Sequence, residues 1–384
     1  MIFDRRLFLP ALMQVIAMLA PFFYLRAALG HGTADTVQGE AILSIVGFAA
    51  VAIDFSASTF LAKSQARLLR SGALLSILLG RLSIAGILLL FSIAFIASIG
   101  ASWQDSSLIA LFCMLLGLAL DPSWIYIGRG HLWIPAAIGA VRFGTAALLT
   151  ASGMQPVLAL AVSFLSSSLF FVLFSGIRLY HFARISHRLF FRILRRYYKP
   201  TITESITAVF SRLDVAVAAA LLQPSEALIY AVSRKLIVGL QSVAFAGARI
   251  FYLERDLGEL KVLRRTLLKY TSLTFFLGLP LSMVVATFWF NLPMSIELWG
   301  TLALLSILIF LGYKKTLIQF GHLYVHRKFS SDLLYSMVSM FVFAALCSLL
   351  AKFGSHSAIA FALVRIVPDA LYTIMAQAAR RGLG

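Results

Sequence analysis

The sequence predicts an all-α integral membrane protein with about twelve transmembrane helices. Hydrophobic residues make up 61% of the 384 residues and charged residues only 12%, which is too apolar for a domain with a water-exposed surface. The apolar residues also fall into twelve stretches of about 17 to 25 residues, the length that a helix needs to cross roughly 30 Å of hydrocarbon.

The predicted spans are separated by short segments. They cover residues 7–29, 41–62, 79–99, 106–127, 132–150, 156–179, 201–222, 227–248, 268–290, 294–313, 330–350 and 356–378. The longest outer loop, from Gly30 to Glu40, has about 11 residues. An enzyme that acts on glycans outside the membrane usually carries its catalytic groups on a sizeable loop or domain, so the short loops favour a protein that is not an enzyme.

The basic residues between the spans fix the orientation. With a cytoplasmic N-terminus, 25 Lys and Arg residues fall in the inner segments and one, Lys352, falls in an outer loop. Because translocation of basic loops is disfavoured, both termini are predicted to be cytoplasmic. The net charge of +18 is explained by cations that flank the spans near anionic lipid headgroups, and no nucleic-acid partner is expected.

A basic segment divides the spans into six and six. We predict an N-terminal lobe at 1–180, a basic amphipathic cytoplasmic linker at 181–200 and a C-terminal lobe at 201–384, with a plain basic linker as the alternative. Short matches between the halves, such as Gln38-Gly39-Glu40-Ala41-Ile42 and Pro224-Ser225-Glu226-Ala227-Leu228, indicate a duplication. Because each half has an even number of spans, the repeats are predicted to be parallel.

Metal binding and cofactor chemistry have no support in the sequence. The two cysteines, Cys113 and Cys347, lie inside predicted spans, and the seven histidines are scattered without ligand spacing. No metal site is therefore expected.

Ionisable residues inside the spans are the best candidates for a functional site. Such a side chain costs at least about 2.5 to 3.5 kcal/mol at the bilayer centre, so it usually faces a partner or a water-filled cavity. The central cations are Arg142, Arg212, Arg234, Lys235 and Arg365. The acidic set is Asp54, Asp121, Glu204, Asp214 and Asp369. Arg26 and Arg81 lie nearer the span ends, where long side chains are expected to snorkel.

Two interpretations of these charges stay open. Five central cations against three central carboxylates (Glu204, Asp214 and Asp369) indicate an anionic ligand. Alternatively, the charges are internal ion pairs that hold helices together, as Arg365 and Asp369 could form at i,i+4. Helical periodicity places Tyr230, Arg234 and Gln241 on one face of the eighth span.

A proline interrupts the end of the fourth span. Pro122 cannot donate a helix hydrogen bond and disfavours helical geometry at Asp121. We expect Trp124 and Tyr126 to follow as anchors at the inner membrane interface, with an ordinary helix end as the alternative.

These features resemble the Wzx-type polysaccharide-lipid flippases, which are members of the multidrug/oligosaccharidyl-lipid/polysaccharide exporter superfamily. The resemblance covers the whole chain. It includes the twelve spans, the basic middle segment and two stretches, Leu120-Asp121-Pro122-Ser123-Trp124 and Arg212-Leu213-Asp214 with the following Ala227 to Leu236.

The resemblance implies a V-shaped pair of lobes around a central cationic cavity that opens alternately to each side. It also implies a substrate, an oligosaccharide on undecaprenyl diphosphate, that moves from the cytoplasmic to the periplasmic leaflet of the bacterial inner membrane. Such units serve lipopolysaccharide or exopolysaccharide biosynthesis. The implied partners are the lipid-linked oligosaccharide, membrane lipids, a glycan polymerase and a chain-length regulator.

On this interpretation the cations contact phosphate or acidic sugars, because the planar arginine fork binds oxygens bidentately. The predicted substrate contacts are Arg234, Lys235, Arg212, Arg142 and Arg365, with Tyr230 and Gln241 on the same helix face as Arg234. The candidates for coupling to H⁺ or Na⁺ are Glu204, Asp214 and Asp54.

Three other functions are weighed against the flippase. A multidrug exporter or ion antiporter of the same fold would handle cations and favour acidic groups in its cavity. A membrane glycan polymerase or acyltransferase would need a base or nucleophile with its partner on the outer side, and the sequence has no such constellation. A non-transporting scaffold would have little reason to keep surplus charge in its spans.

Overall fold

The computed structural model describes residues 5–54, 74–98, 105–129, 131, 133–175, 195, 201–203, 205–209, 211–254, 260–319, 329–354 and 357–381. Across these ranges the chain forms helices and turns, and no strand. Ten candidate membrane spans lie in the described part of the chain, each long and apolar enough to cross a bilayer. The prediction of an all-α, multi-pass membrane protein is confirmed.

The chain divides into two compact units, Met1–Ser205 and Ile206–Gly384. The helices of the first unit are α1 (Arg5–Leu29), α2 (Thr33–Asp54), α3 (Leu74–Ser98), α4 (Asp105–Leu120), α5 (Ser123–Gly128), α6 (Ile134–Ala151) and α7 (Pro156–Phe174). Those of the second are α8 (Asp214–Leu221), α9 (Pro224–Glu254), α10 (Leu260–Val284), α11 (Ile296–Gln319), α12 (Phe329–Phe353) and α13 (Ala358–Arg381). A π-helical turn, Val285–Trp289, follows α10 directly.

Corresponding pairs of helices pack against each other within each of the two units. In the first unit, α4 packs against α2, α3 and α7, and α6 packs against α7. In the second unit, α11 packs against α9, α10 and α13, and α12 packs against α13. If α4 and α5 are counted as one span, the fourth span contacts the second, third and sixth spans in both units. This recurrence is what a duplicated six-helix unit predicts.

The predicted linker at 181–200 lies outside the described residues except for Arg195, which is helical. Its amphipathic character and the lobe limits at 180 and 201 stay predictions. The seventh predicted span is helical over most of its described part, with a bend at Leu213 just before α8. The eighth span is contained in α9, which is longer than predicted.

The predicted start of the second span at residue 41 is wrong, because α2 begins at Thr33. The connection to α1 closes at Gly32, whose φ of +113° suits glycine, and Thr36 Oγ1 donates to the Gly32 carbonyl at 2.7 Å. Hydropathy missed the first two turns of α2, residues 33–40, because most of their residues are polar or small. Within the protein Gln38 donates to Ser107 and Glu40 is buried, so the polar groups are not exposed to lipid.

Small residues allow close helix contacts in both units. A Cβ atom on Gly117 of α4 would lie 2.8 Å from the backbone oxygen of Phe164 in α7. At the equivalent contact in the second unit, a Cβ on Gly300 of α11 would lie 2.5 Å from Cδ1 of Ile359 in α13. Such small residues let transmembrane helices pack by close van der Waals contact.

Gly117→Ala is therefore expected to lower stability by about 1 to 3 kcal/mol, because a backbone atom must move to admit the methyl group. Gly86→Ala is the matched control, since Gly86 is also helical and a Cβ there meets no atom within 4 Å. Thermal unfolding in detergent measures the stability of both purified variants. Equal melting temperatures for the two variants would contradict the close α4–α7 contact.

Candidate functional site

Arg142 of the first unit has several partners inside the protein. Its Nη2 lies 2.5 Å from Asp121 Oδ2 and 2.8 Å from Ser168 Oγ, and its Nε donates to Ser167 Oγ at 3.2 Å. The guanidinium carbon also lies 4.9 Å from the ring centroid of Phe164. These partners come from the end of α4 and from α7, so Arg142 joins three helices.

Asp121 occupies the break between α4 and α5. Its Oδ1 accepts the backbone N–H of Ser123 at 2.8 Å and also the Ser123 hydroxyl. The proline at 122 interrupts the helix there, and the carboxylate satisfies the first free N–H group of α5. The Asp121-Pro122 pair thus turns a helix break into an ion-pair site.

Arg81 of α3 is buried and binds backbone carbonyls of α2 and of the end of α4, which corrects the prediction that it snorkels to the interface. Its side chain donates to the carbonyls of Ile53 at 3.2 Å, Leu118 at 3.0 Å and Asp121 at 2.7 Å. The carbonyls of Leu118 and Asp121 lie at the end of α4, where free C=O groups and the helix dipole favour a cation. Asp54, the last residue of α2, interacts with Arg81 electrostatically.

Trp124 and Tyr126 were predicted to be interface anchors, and this prediction is wrong. Their exposed fractions are 3% and 5%, and the Tyr126 hydroxyl donates to the Phe171 carbonyl at 2.9 Å. Their amphipathic rings fit an interface equally well by sequence, but in the structure both are buried inside the unit, and Tyr126 contacts α7.

The second unit has a charged cluster around Asp214, the first residue of α8. Its Oδ2 accepts three side-chain donors: Arg234 Nε at 2.7 Å, Arg365 Nε at 3.0 Å and the Tyr230 hydroxyl at 3.1 Å. Its Oδ1 accepts the N–H of Val215 at 3.0 Å. All four side chains are at least nine-tenths buried.

The two arginines of this cluster differ in their bonds. Arg365 also donates through Nη1 to Asp369 at 2.7 Å, so it bridges two carboxylates. Arg234 donates through Nη2 to the Ser211 carbonyl at 3.1 Å. Its Nη1 is buried and has no hydrogen-bond partner among the described residues. Buried donors in proteins are normally satisfied, so this atom needs an explanation.

The N-terminal end of α13, which the predicted topology places on the outer side, is tied to its neighbours by two carboxylates. Glu226 of α9 accepts the backbone N–H of Ala358 at 3.2 Å. Glu297 of α11 accepts the N–H of Ile359 at 3.3 Å and the hydroxyl of Ser357 at 3.0 Å. Anionic groups at a helix N-terminus satisfy its free N–H groups and its dipole, so this end of α13 is well fixed.

The other predicted site residues differ in their exposure and their contacts. Arg212 is exposed beside the bend at Leu213, and Lys235 is half-buried on α9. Gln241 donates to the Leu308 carbonyl of α11 at 2.7 Å, so its amide has a structural partner. Glu204 lies outside the described residues. The substrate and coupling roles of all these residues stay predictions.

The predicted surplus of central positive charge is smaller than the sequence suggested. Arg142, Arg234 and Arg365 all form ion pairs, and the carboxylate that pairs with Arg142 is Asp121, which was not counted as central. The predicted i,i+4 pair between Arg365 and Asp369 is present. The ion-pair interpretation therefore describes these three arginines in this conformation.

Sequence reasoning missed several polar contacts. Ser167 and Ser168 gave no signal as isolated hydroxyls in an apolar helix, and Asp332 was not among the predicted acidic residues. In the structure Asp332 is buried and accepts the hydroxyl of Tyr372. Within the ranges that the structure describes, no group of three or more His, Cys, Asp or Glu side chains could hold a metal ion.

No protein-family model matches the chain, and no curated protein matches it. Solved structures do match. The inward-facing conformation of a multidrug resistance MATE family transporter of the MOP superfamily has a TM-score of 0.64 at 15% identity, with 98% of each chain covered. An outward-facing conformation of such a transporter has a TM-score of 0.61 at 14% identity, covering 99% of this chain and 96% of that chain.

A third similar structure is a MOP superfamily transporter from Pyrococcus furiosus, described as having a binding pocket of reverse polarity that suggests a different function. Its TM-score is 0.55 at 14% identity, with 97% of this chain and 93% of that chain covered. The chain therefore has the fold of the MATE transporters of the MOP superfamily.

Substitutions in the Asp121–Arg142 pair test whether this ion pair stabilises the first unit. Arg142→Met should lower stability by about 3 to 5 kcal/mol, because it leaves a buried carboxylate without its cation. Adding Asp121→Asn should restore at least half of that loss, since the amide oxygen can still accept from Ser123. Thermal unfolding in detergent measures both. If the losses simply add, the pair is not the source of the stability.

Proposed function

We propose that this protein is a flippase that moves an oligosaccharide linked to undecaprenyl diphosphate from the cytoplasmic to the periplasmic leaflet by alternating access. The observation that carries the proposal is Arg234, a buried arginine with one unsatisfied donor beside a second arginine on the same carboxylate. An anionic headgroup would supply the missing acceptor. No catalytic step is part of this function.

Arg234 is the best candidate for the phosphate contact because its present counter-ion is shared. Arg365 already neutralises Asp214, so Arg234 can turn towards a ligand without leaving that carboxylate unpaired. Arg142 lacks this freedom, since Arg142 is the arginine that pairs with Asp121 in the first unit. Lys235, the half-buried neighbour of Arg234 in the chain, and Arg212, which interacts electrostatically with Arg234, would add positive charge.

The fold supports transport by alternating access, because similar structures include inward- and outward-facing conformations of a MATE transporter. The Pyrococcus furiosus transporter, with its described reverse polarity of the binding pocket and different function, is consistent with a change of ligand charge within this fold.

The remaining parts of the proposal follow from the sequence. We place the protein in the bacterial inner membrane with both termini in the cytoplasm, on the distribution of its basic loops. Its partners would be membrane lipids, a glycan polymerase and a chain-length regulator. Asp214 and Asp54 are the described candidates for coupling to H⁺ or Na⁺, with Glu204 as a third.

A multidrug exporter is the second candidate function. Two observations favour it: two of the three similar structures described above are multidrug resistance transporters, and each of the three paired arginines has a buried carboxylate partner. If the arginines moved away, Asp214 and Asp369 could attract a cationic compound. The two functions predict opposite ligand charges.

Deletion of the gene separates the candidates. The flippase is expected to leave surface glycan absent while lipid-linked repeat units accumulate on the cytoplasmic side, as measured by extraction of the units with and without access from the periplasm. Units that reach the periplasmic face but stay unpolymerised would indicate a polymerase instead. Normal glycan with increased sensitivity to cationic drugs would indicate the multidrug exporter.

Arg234 gives a sharper test. Arg234→Ala should reduce glycan export by about tenfold or more, because one hydrogen bond to a charged group is worth about 1.5 to 3 kcal/mol. Arg234→Lys should restore part of the activity, since it returns the charge without the fork. Arg26→Ala is the control, because Arg26 is exposed near the end of α1.

The same experiment distinguishes a ligand contact from a structural pair. If Arg234 only neutralises Asp214, adding Asp214→Ala should restore export. We expect no restoration, because Arg365 continues to pair with Asp214 in the single variant. Recovery in the double variant, with both proteins inserted at normal levels, would remove Arg234 from the substrate site.

A further inference from the structure

We propose that Arg365 and Asp369 are positioning residues that link ligand binding at Arg234 to bending of α13 at Pro368. This inference rests on the proposed function for its ligand. The link itself is a feature of the second unit, and it is tested below without any ligand.

The first step is competition for one oxygen atom. Asp214 Oδ2 accepts Arg234, Arg365 and Tyr230, whereas Oδ1 accepts only the Val215 N–H among the hydrogen bonds described. A carboxylate oxygen has about two lone-pair directions, so three donors on one oxygen cannot all have good geometry. Departure of one donor therefore strengthens the bonds of the other two.

The second step is the position of Pro368. This proline lies inside α13, and it cannot supply the N–H that would bond to the carbonyl of Val364. Prolines are the usual sites of helix kinks. Arg365 and Asp369 stand on either side of Pro368, and their ion pair at 2.7 Å spans the weak point. The pair therefore acts as a brace on the helix.

The third step joins the two. Arg365 divides its guanidinium between Asp214, through Nε at 3.0 Å, and Asp369, through Nη1 at 2.7 Å. When Arg234 turns to an anionic ligand, Asp214 depends on Arg365 for its charge, and Arg365 moves towards Asp214. The bond to Asp369 weakens, and α13 bends at Pro368. The outer end of α13 is held by Glu226 and Glu297, so the inner half moves.

The experiment measures two distances between α12 and α13 by pulsed electron spin resonance. The full chain carries Cys113→Ser and Cys347→Ser. Spin labels at Leu334→Cys and Ile374→Cys report on the inner half of α13, and labels at Leu349→Cys and Leu363→Cys report on the outer half. All four positions have exposed side chains, so the labels replace no buried contact.

Without ligand, Asp369→Asn is expected to broaden or shift the inner distance distribution while the outer distribution stays unchanged. Adding Pro368→Ala to Asp369→Asn should return the inner distribution to that of the unsubstituted protein. An unchanged inner distribution, a change that persists with Pro368→Ala, or equal changes in both halves would each overturn the brace.

With ligand, inorganic diphosphate added to the labelled protein should cause the same inner change, and Arg234→Gln should abolish it. If calorimetry detects binding of diphosphate but the distance between the inner spin labels does not change, the link between Arg234 and α13 is overturned while the proposed function stands. If diphosphate does not bind, the anion contact of the proposed function fails. The ligand-free result for Asp369→Asn still decides the brace in that case.

Discussion

Neutralisation of arginine by aspartate inside the spans is the constraint on which the rest of the structure depends. A charge in hydrocarbon costs several kcal/mol unless it is paired, so each buried arginine dictates which helices must meet. Arg142 brings the end of α4 to α6, and Arg365 brings α13 to Asp214, 151 residues away in the chain. Apolar side chains fill the contacts between helices, but the ion pairs determine which helices pack together.

The spans were predictable from the sequence, because hydrophobic length alone decides whether a helix can cross a bilayer. The Arg365–Asp369 pair was predictable as well, since i,i+4 neighbours on a helix always meet. The pairing of Arg142 with Asp121 and the binding of Arg81 to three carbonyls were not. These contacts join different helices, and their choice depends on packing that a single sequence does not encode locally.

Arg142 and Arg234 show why residue type alone does not identify a binding site. Both are buried arginines in spans, and both pair with an aspartate near a helix end. From the sequence, both were predicted to contact the substrate. In the structure, Arg142 has Asp121 and two serine hydroxyls as partners, whereas Arg234 shares its carboxylate with Arg365 and has a donor without a partner. Only the number of donors and acceptors around each side chain separates them.

The two clusters are suited to different mechanical roles. In the first unit, Arg142 has a single carboxylate partner beside a close α4–α7 backbone contact at Gly117, so a change there would strand a buried charge. In the second unit, two arginines share Asp214 and one of them reaches a second carboxylate, so Asp214 keeps a cationic partner when Arg234 leaves. Transport needs an element with two arrangements of similar free energy. The Asp214 cluster meets that requirement, and the Asp121 cluster provides a rigid frame.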